Sequence, residues 1–212
     1  EFCIDVTERR RAEAALRDSE ERFQRFGEAS SDVLWIRDAE TLRWEYLTPA
    51  FERIYGMGVD RALSGDTLAN WLELVVPEDR ERALGSIMRV RAGERVTFEY
   101  RIRRPSDGEI RWLRDTDFPL ADESGRVRRI GGIGQDVTDI KEAERRLREN
   151  EARLRAMVDA VPQIAWTARP DGHHDYYNRR WYEYTGLSRE QTEAEGWTTV
   201  IHPDDLARTR ER

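Results

Sequence analysis

The pattern of apolar and polar residues changes period along the chain, and each period predicts one kind of element. Apolar and charged residues alternate over residues 97–104, which is the pattern of a half-buried strand. An Asp-Gly turn at residues 105–109 follows, and further strand patterns cover residues 110–120 and 127–137. We therefore expect a three-stranded antiparallel meander in the middle of the chain.

Shorter elements precede this meander. Residues 32–38 and 43–48 are predicted to be strands joined by a turn, and residues 49–57 a short helix that begins with Pro and ends near Gly. Residues 77–93 predict an amphipathic helix. Its apolar face is formed by Ala83, Ile87 and Val90. Two strands, short helices and three strands in this order predict an α+β domain with one antiparallel sheet.

Two charged segments have helical periodicity, residues 5–26 and residues 139–157, and we take residues 8–26 and 139–157 as linker helices. Their apolar residues recur in heptads with Glu and Arg on the other faces. The predicted seam consists of Leu16, Phe23, Ile140, Leu147, Asn150 and Leu154. This pattern favours a short parallel coiled coil that forms a homodimer. The alternative is a single amphipathic helix lying on its own domain.

The chain also contains an internal repeat. The run DVTERRRAEAALRDSEERF from Asp5 aligns with DVTDIKEAERRLRENEARL from Asp136, 131 residues later. We therefore expect residues 1–7 to end one copy, residues 20–138 to form a complete copy, and residues 151–212 to form the front half of another. The chain is expected to be a piece of a longer protein.

Composition and charge exclude several classes of protein. Hydrophobic residues make up 38% and charged residues 37% of the chain, which is typical of folded parts joined by charge-rich segments. The net charge of −7 argues against nucleic acid as a partner. No apolar run is long enough to contact or cross a membrane, and no signal peptide is present, so a cytoplasmic location is expected. The parent protein could still carry a membrane anchor.

Residues that carry chemistry are sparse. The single Cys3 excludes a disulfide framework and a Cys-rich metal site. His173 and His174 are expected in a surface turn, where they make a poor metal pair, and His202 at a helix start. The GGIGQD run at 131–136 is interpreted as small residues in a closely packed strand, since it lacks a phosphate-loop ending. We identify no catalytic residues or metal ligands and expect no enzymatic activity from this chain.

The run EYRIRRPSDGEIRWLRDTDFPLADESGRVRRIGGIGQDVTDIKEAE at 99–144 carries a family resemblance. Its Asp-Gly turn, its Arg111–Trp112 pair, its second turn at Gly125 and its Asp-Val-Thr exit resemble a PAS domain with a C-terminal PAC segment. VVPEDR and VIHPDDL resemble the family's helix-start motif. The resemblance implies a five-stranded antiparallel sheet that cups a small cavity beneath short helices, with coiled-coil linkers joining such domains.

The resemblance also implies where a ligand would bind. The residues expected to line the cup are Trp35, Tyr46, Phe51, Ile54 and Tyr55. The alternative is a filled core. A flavin that forms a Cys adduct is excluded because Cys3 lies outside the complete domain, and His-ligated haem is excluded because that domain contains no His. No cofactor is predicted, and a non-covalent small ligand stays possible.

The Asp-Val-Thr triads are expected to couple the sheet to the helix that follows. These residues are Asp136, Val137 and Thr138, and in the preceding copy Asp5, Val6 and Thr7. A residue that caps a helix also fixes its angle to the strand before it, whereas the alternative is ordinary helix capping.

The resemblance implies a sensory module that relays its state through the linker helices to a downstream output domain, most often a histidine kinase of a two-component system in bacteria. One alternative is a dimerisation scaffold with empty domains. Another is the sensor part of a diguanylate cyclase or phosphodiesterase.

Overall fold

A computed structural model describes residues 7–192 and 196–210, with side chains for all of these except 7–9, 11, 12 and 207–210. The chain divides into two compact units, Glu1–Lys141 and Glu142–Arg212. Asp5 and Val6, and with them most of the predicted end of a preceding copy, lie outside the described residues.

The first unit contains a long helix, several short helices and five strands. In chain order its elements are α1 (Thr7–Ala29), β1 (Val33–Asp38), β2 (Trp44–Leu47), α2 (Ala50–Tyr55), α3 (Val59–Leu63), α4 (Thr67–Leu74), a 3₁₀ turn (Pro77–Asp79), α5 (Arg80–Arg91), β3 (Val96–Arg103), β4 (Ile110–Ala121) and β5 (Val127–Asp136). The helix α6 (Thr138–Ala160) begins in this unit. Each strand begins and ends within one residue of its predicted limit.

The five strands form one antiparallel sheet in the order β2-β1-β5-β4-β3, so the last strand of the unit lies at its centre. Side chains on one sheet face pack with α2, α4 and α5 into the hydrophobic core. This face, which we call the cup face, carries Trp35, Tyr100 and Leu113 among its buried residues. The α+β class and the five-stranded antiparallel sheet with its short helices are confirmed.

The helices depart from prediction in three ways. The helix expected at 77–93 is a 3₁₀ turn followed by α5, although its apolar face is buried as expected. The helices α3 and α4 were not predicted, because each is short and only α4 has a clear start, at the Asp66 side chain that accepts a hydrogen bond from Ala69 N. The linker helices α1 and α6 each extend three residues beyond their predicted C-terminal ends.

The second unit contains the rest of α6 and a two-stranded sheet. After α6 come β6 (Trp166–Ala168), β7 (His174–Tyr177), α7 (Arg179–Thr185), α8 (Arg189–Thr192), a 3₁₀ turn (Gly196–Val200) and α9 (Pro203–Arg210). The strands β6 and β7 pair antiparallel, as β1 and β2 do in the first unit.

Candidate functional site

The cup face buries three charged side chains that were not among the predicted site residues. Arg37 is 1% exposed, Asp115 3% and Asp117 0%. Together with Tyr55 and Tyr100 they form what we call the cup cluster. Charged residues are seldom fully buried unless they are paired, so this group requires an explanation.

Strand alternation brings the two carboxyl groups together. Asp115 and Asp117 are two residues apart on β4, so both project from the same face as the buried Leu113. On the central strand β5 they face Gly134 and Gly132. A Cβ atom on Gly134 would lie 2.8 Å from Asp115 Oδ1, and one on Gly132 would overlap the Trp35 ring. Gly132 and Gly134 of the GGIGQD run therefore make room for this cluster, which agrees with the predicted close packing.

A chain of hydroxyl groups reaches one of the carboxyl groups. The Tyr100 hydroxyl donates to Asp115 Oδ2 at 2.9 Å and lies 2.7 Å from the Tyr55 hydroxyl. Since Tyr100 has a single hydroxyl proton, the Tyr55 hydroxyl is the donor of that second bond. Trp71 Nε1 also donates to the Tyr100 oxygen, at 3.4 Å.

The Arg37 guanidinium lies among three indole rings. Its carbon is 4.2 Å from the ring centroid of Trp44, 4.9 Å from that of Trp71 and 5.5 Å from that of Trp35. Arg37 Nη1 donates to the carbonyl oxygen of Leu42 at 3.0 Å, and Leu42 has a φ of 58°. Cation–π contacts and a backbone carbonyl therefore hold the guanidinium, and no hydrogen bond joins it to Asp117.

Several buried polar atoms in and beside the cup cluster have no hydrogen-bond partner. They are Arg37 Nε, Trp44 Nε1, Asp115 Oδ1 and both carboxylate oxygens of Asp117. Residues bearing these atoms line a cavity of about 10 Å³. That is about the space that one buried water requires, so the cavity is too small for an organic ligand.

Burial dominates the electrostatics of the cluster. It raises the pKa of Asp115 to about 7 and the pKa of Asp117 well above its usual value, because a buried carboxylate loses its hydration. It lowers the pKa of Arg37 to about 10 for the same reason, and raises the pKa of Tyr55 and Tyr100. Burial therefore favours the neutral form of both carboxyl groups.

The structure places the five predicted cup residues in different surroundings. Trp35 and Tyr55 line the cavity. Phe51 stacks on Tyr55 with ring centroids 4.2 Å apart, and Ile54 belongs to the same core. Tyr46 differs from the expectation, because a bulge in the pairing of β1 and β2 places it opposite Ile36 on the other sheet face from Trp44, where its ring lies 5.6 Å from that of Phe23 in α1.

Arg37, Asp115 and Asp117 were not predicted from the sequence. The available signal was the phase of β4, in which the two acids share the face of Leu113. That phase is ambiguous in the sequence, because Trp112 and Phe118 give the opposite face an apolar pattern as well.

A second set of contacts fixes the start of α6 to the sheet. Asp136 Oδ1 accepts hydrogen bonds from the backbone N and the hydroxyl group of Thr138. The Thr138 oxygen accepts from Trp112 N at 2.9 Å, and Val137 N donates to the Trp112 carbonyl at 2.8 Å. Thr138 thus does not cap the helix. It joins α6 to β4 at what we call the α6 junction.

Charged side chains strengthen this junction on the outer sheet face. Lys141 Nζ is 2.6 Å from Glu99 Oε2, and Arg114 Nη2 is 2.8 Å from Glu99 Oε1. Hydrogen bonds from Lys141 and Arg114 lower the pKa of Glu99. Of the preceding triad, only Thr7 falls within the described residues, as the first residue of α1, and its side chain is not described.

The predicted seam residues are exposed in the single chain. Leu16 is 61% exposed, Leu147 60% and Leu154 62%, and Phe23 and Ile140 are also more than half exposed. Asn150, which lies in α6, is exposed as well.

The histidines belong to the second unit. His174 stacks between Trp166 and Trp197, with ring centroids 4.6 and 5.0 Å away, and burial lowers its pKa. His173 is exposed in the hairpin, and His202 Nδ1 accepts a hydrogen bond from Asp204 N at the start of α9. Among the described residues, no group of three or more His, Cys, Asp or Glu side chains is placed to hold a metal ion.

The central region of the chain is similar to a known protein family, and the whole chain is similar to longer proteins. Residues 45–134 match the family model of the PAS fold. The chain is 33% identical over 209 residues to the uncharacterized protein y4lL of Sinorhizobium fredii, which covers 96% of this chain and 24% of that protein. It is 30% identical over 139 residues to the two-component sensor PprA of Pseudomonas aeruginosa, covering 63% of this chain and 15% of the sensor.

A solved structure of an RNA-binding light-oxygen-voltage receptor aligns with a TM-score of 0.52 and 25% identity, over 63% of this chain and 37% of that one. The chain spans about a quarter or less of the length of the two curated relatives, y4lL and PprA. No described helix is both long and apolar enough to cross a membrane.

Proposed function

We propose that this chain, whose residues 45–134 form a PAS domain, is the sensory and relay segment of a longer signalling protein. One observation carries the proposal. The strand β4 contains both Asp115 and Asp117 of the cup cluster and, three residues before Asp115, the Trp112 backbone that bonds α6. A change in the cup therefore acts on the strand that positions the exit helix.

The helix α6 is suited to relay such a change. Thr138 is its buried residue, whereas the side chains that follow are largely exposed. A helix that is held at its first turn and exposed along the turns that follow changes direction when its attachment moves. The Asp136–Val137–Thr138 triad is thus proposed as the coupling element, and Asp5–Val6–Thr7 as its counterpart before α1.

We take the output domain to be a histidine kinase that transfers phosphate from ATP to a protein histidine. The similarity to the two-component sensor PprA supports this assignment. The parent would act in the cytoplasm, with or without a membrane anchor elsewhere in its chain.

We propose further that residues 151–212 begin a second PAS domain, so that the chain is tandem. The two hairpins share a specific contact. Thr48 Oγ1 accepts from Leu34 N at 3.0 Å, and Asn178 Oδ1 accepts from Ala165 N at 3.0 Å. Short helices follow each hairpin, beginning with α2 and α3 in the first unit and with α7 and α8 in the second.

A second copy of this chain is the proposed partner of α1 and α6. The exposed heptad residues lie on one stripe of each helix, and Arg–Glu pairs four residues apart occupy the other faces. A parallel homodimer would bury this stripe and place Asn150 at a core position that favours one register. An empty dimerisation scaffold is the competing function, and it lacks the relay described above.

The proposed sensor works without haem or flavin. The cavity of about 10 Å³ is far smaller than either ring system, and Arg37 with its surrounding indole rings fills the remaining space.

Deletions in α6 of the full-length parent protein test the relay. Removing residues 145–151 takes out one heptad and preserves the phase of the helix, whereas removing 145–148 changes it. Autophosphorylation from labelled ATP should stay within about twofold of wild type for the heptad deletion and change by at least about fivefold for the four-residue deletion.

Two results would contradict the proposal. Equal rates for both deletions would exclude relay through the helix phase of α6. A parent that incorporates no phosphate from ATP would exclude the kinase output.

A further inference from the structure

The cup cluster contains more negative than positive charge if all its groups are ionised. Asp115 and Asp117 contribute two carboxylates, and Arg37 contributes one guanidinium. Three of the four carboxylate oxygens accept no hydrogen bond, and the fourth accepts from Tyr100. Two buried carboxylates this poorly solvated require one further positive charge.

The groups around the pair supply no such charge. Facing it are Arg37 from β1, the neutral hydroxyls of Tyr55 from α2 and Tyr100 from β3, and the uncharged side chains of α4 and α5. The central strand β5 contributes only Gly132 and Gly134 opposite the two acids. The missing charge must therefore come from outside the cluster.

The size of the cavity limits what can bring this charge. About 10 Å³ is room for about one water, so an amine or other organic cation does not fit beside Arg37. A proton requires no additional space. It also gives one carboxyl group a hydroxyl donor that can satisfy an oxygen of its neighbour.

The second unit shows that the hairpin does not need this arrangement for folding. The bulged pair Arg37↔Trp44 of β1 and β2 corresponds to Ala168↔His174 of β6 and β7. The same hairpin thus forms without an arginine or a tryptophan at these places. The described hairpin of the second unit therefore has no counterpart of Arg37.

We propose that the Asp115–Asp117 pair is a proton-binding site and that its occupancy is the signal to which this PAS domain responds. The identity of the signal rests on the sensory function proposed above. When the proton leaves, two carboxylates two residues apart on β4 repel each other in a dry site. Movement of β4 or entry of water relieves this repulsion, and β4 carries the α6 junction.

The direction of the effect follows from the burial of the pair. Burial raises the pKa of both carboxyl groups above the value of about 3.9 that Asp has in an unfolded chain. The folded state therefore binds more protons than the unfolded state between about pH 4 and the raised values. The pair favours folding most at low pH, and this contribution is lost as the pH rises through neutrality.

Infrared difference spectroscopy of the purified chain tests the proposal, because a protonated carboxyl group has its own absorption band. We expect the band of a buried protonated carboxyl group to disappear as the pH rises from about 5 to about 9, with a midpoint well above that of exposed Asp. The double variant Asp115→Asn/Asp117→Asn should lack this change. Asn is neutral and similar in size, so the variant mimics the protonated pair.

Tryptophan fluorescence gives a second measurement, since Trp35, Trp44 and Trp71 surround the cavity. The matched control is His174→Gln, because His174 also stacks on tryptophan rings and its protonation would change their fluorescence outside the cup. The change of tryptophan fluorescence with pH that arises in the cup should persist in His174→Gln and vanish in the double variant. If the double variant does not fold, Asp115→Asn alone should shift the midpoint of the transition.

The proton site is excluded if wild type shows no carboxyl band that depends on pH, or if the band persists in the double variant. The α6 deletions separate this failure from that of the relay. If the parent kinase responds to the phase of α6 but the Asp115–Asp117 pair does not titrate, the proposed sensory function stands and the proton is excluded as its signal. Confirmation requires that the kinase rate of the wild-type parent change between about pH 6 and pH 8 and that the double variant abolish the change.

Discussion

Gly132 shows how a missing side chain shapes the cup. It lies on the central strand β5 between Trp35 on β1 and Asp117 on β4. A Cβ atom at this place would overlap the Trp35 ring and lie 2.8 Å from Asp117 Oδ1. Both neighbours are buried, so neither has free space into which it can move.

We therefore expect Gly132→Ala to destabilise the chain by about 1–3 kcal/mol, which is typical of overpacking. The matched control is Gly85→Ala in α5. No atom lies within 4 Å of the added methyl group there, and alanine is the better helix former, so we expect a gain of up to about 1 kcal/mol. The midpoint of urea unfolding measures both changes. A Gly132 variant as stable as wild type would show that the cup has room that the structure lacks.

The site was harder to predict than the sheet for a reason visible at single residues. The alternation of β3 is unambiguous, because Phe98, Tyr100 and Ile102 stand against charged neighbours. In β4 both faces carry apolar residues, so the sequence does not tell whether Asp115 faces water or the core. Arg37 has the same ambiguity on a strand of six residues. Only the pairing with β5 decides which face is buried.

At the scale of elements, Asp79 attaches a helix to the sheet. It precedes α5 and forms no side-chain cap with it. Its carboxylate accepts instead from the backbone N of Arg101 at 2.9 Å and from Arg101 Nε at 2.8 Å, which joins the start of α5 to β3. The VVPEDR motif thus serves packing between elements as well as helix initiation.

We expect Asp79→Asn to lower the free energy of unfolding by about 2 kcal/mol, because the charge-assisted bonds to Arg101 are lost. The control is Arg82→Ala. Arg82 also contacts Asp79, but it is exposed, so its loss should change stability by less than about 1 kcal/mol. Chemical unfolding at neutral pH measures both variants.

The effect of Asp79 should also depend on pH. Hydrogen bonds from Arg101 lower the pKa of Asp79, so its stabilising contribution is complete above the unfolded value of about 3.9. The contribution is lost as the pH falls through the lower folded value. The difference between wild type and Asp79→Asn should therefore shrink below about pH 4. A constant difference down to acid unfolding would contradict an ionised Asp79 in this role.

The elements could be predicted to the extent that they carry periodic patterns. The five strands and the two long helices have such patterns, whereas α3 has five residues and α4 eight. Helices this short form through packing on the sheet, because their own hydrogen bonds do not offset the entropy of nucleation. Their position therefore follows from the tertiary fold.

At the scale of the whole molecule, the two long helices expose large apolar side chains to solvent. The exposed side chains of α6 include Ile140, Leu147, Leu154 and Met157. The first three recur every seven residues and Met157 follows Leu154 by three, so all four lie on one stripe of the helix. On the other faces, pairs such as Arg145 with Glu149 satisfy charges within the helix. The apolar stripe is the part of α6 left without a partner in the described chain.

If a second copy covers this stripe, a charge at its centre should separate the copies. We expect light scattering after gel filtration to give twice the chain mass for wild type and the single mass for Leu147→Glu, because the dimer would bury a carboxylate at a core position. The matched control is Ala152→Glu, which places the same charge on the opposite side of α6 and should leave the dimer intact. Circular dichroism establishes that both variants keep their helices. A wild-type chain that is monomeric at about 100 μM would exclude a stable dimer of this segment, since coiled coils of two to three heptads associate weakly but measurably at such concentrations.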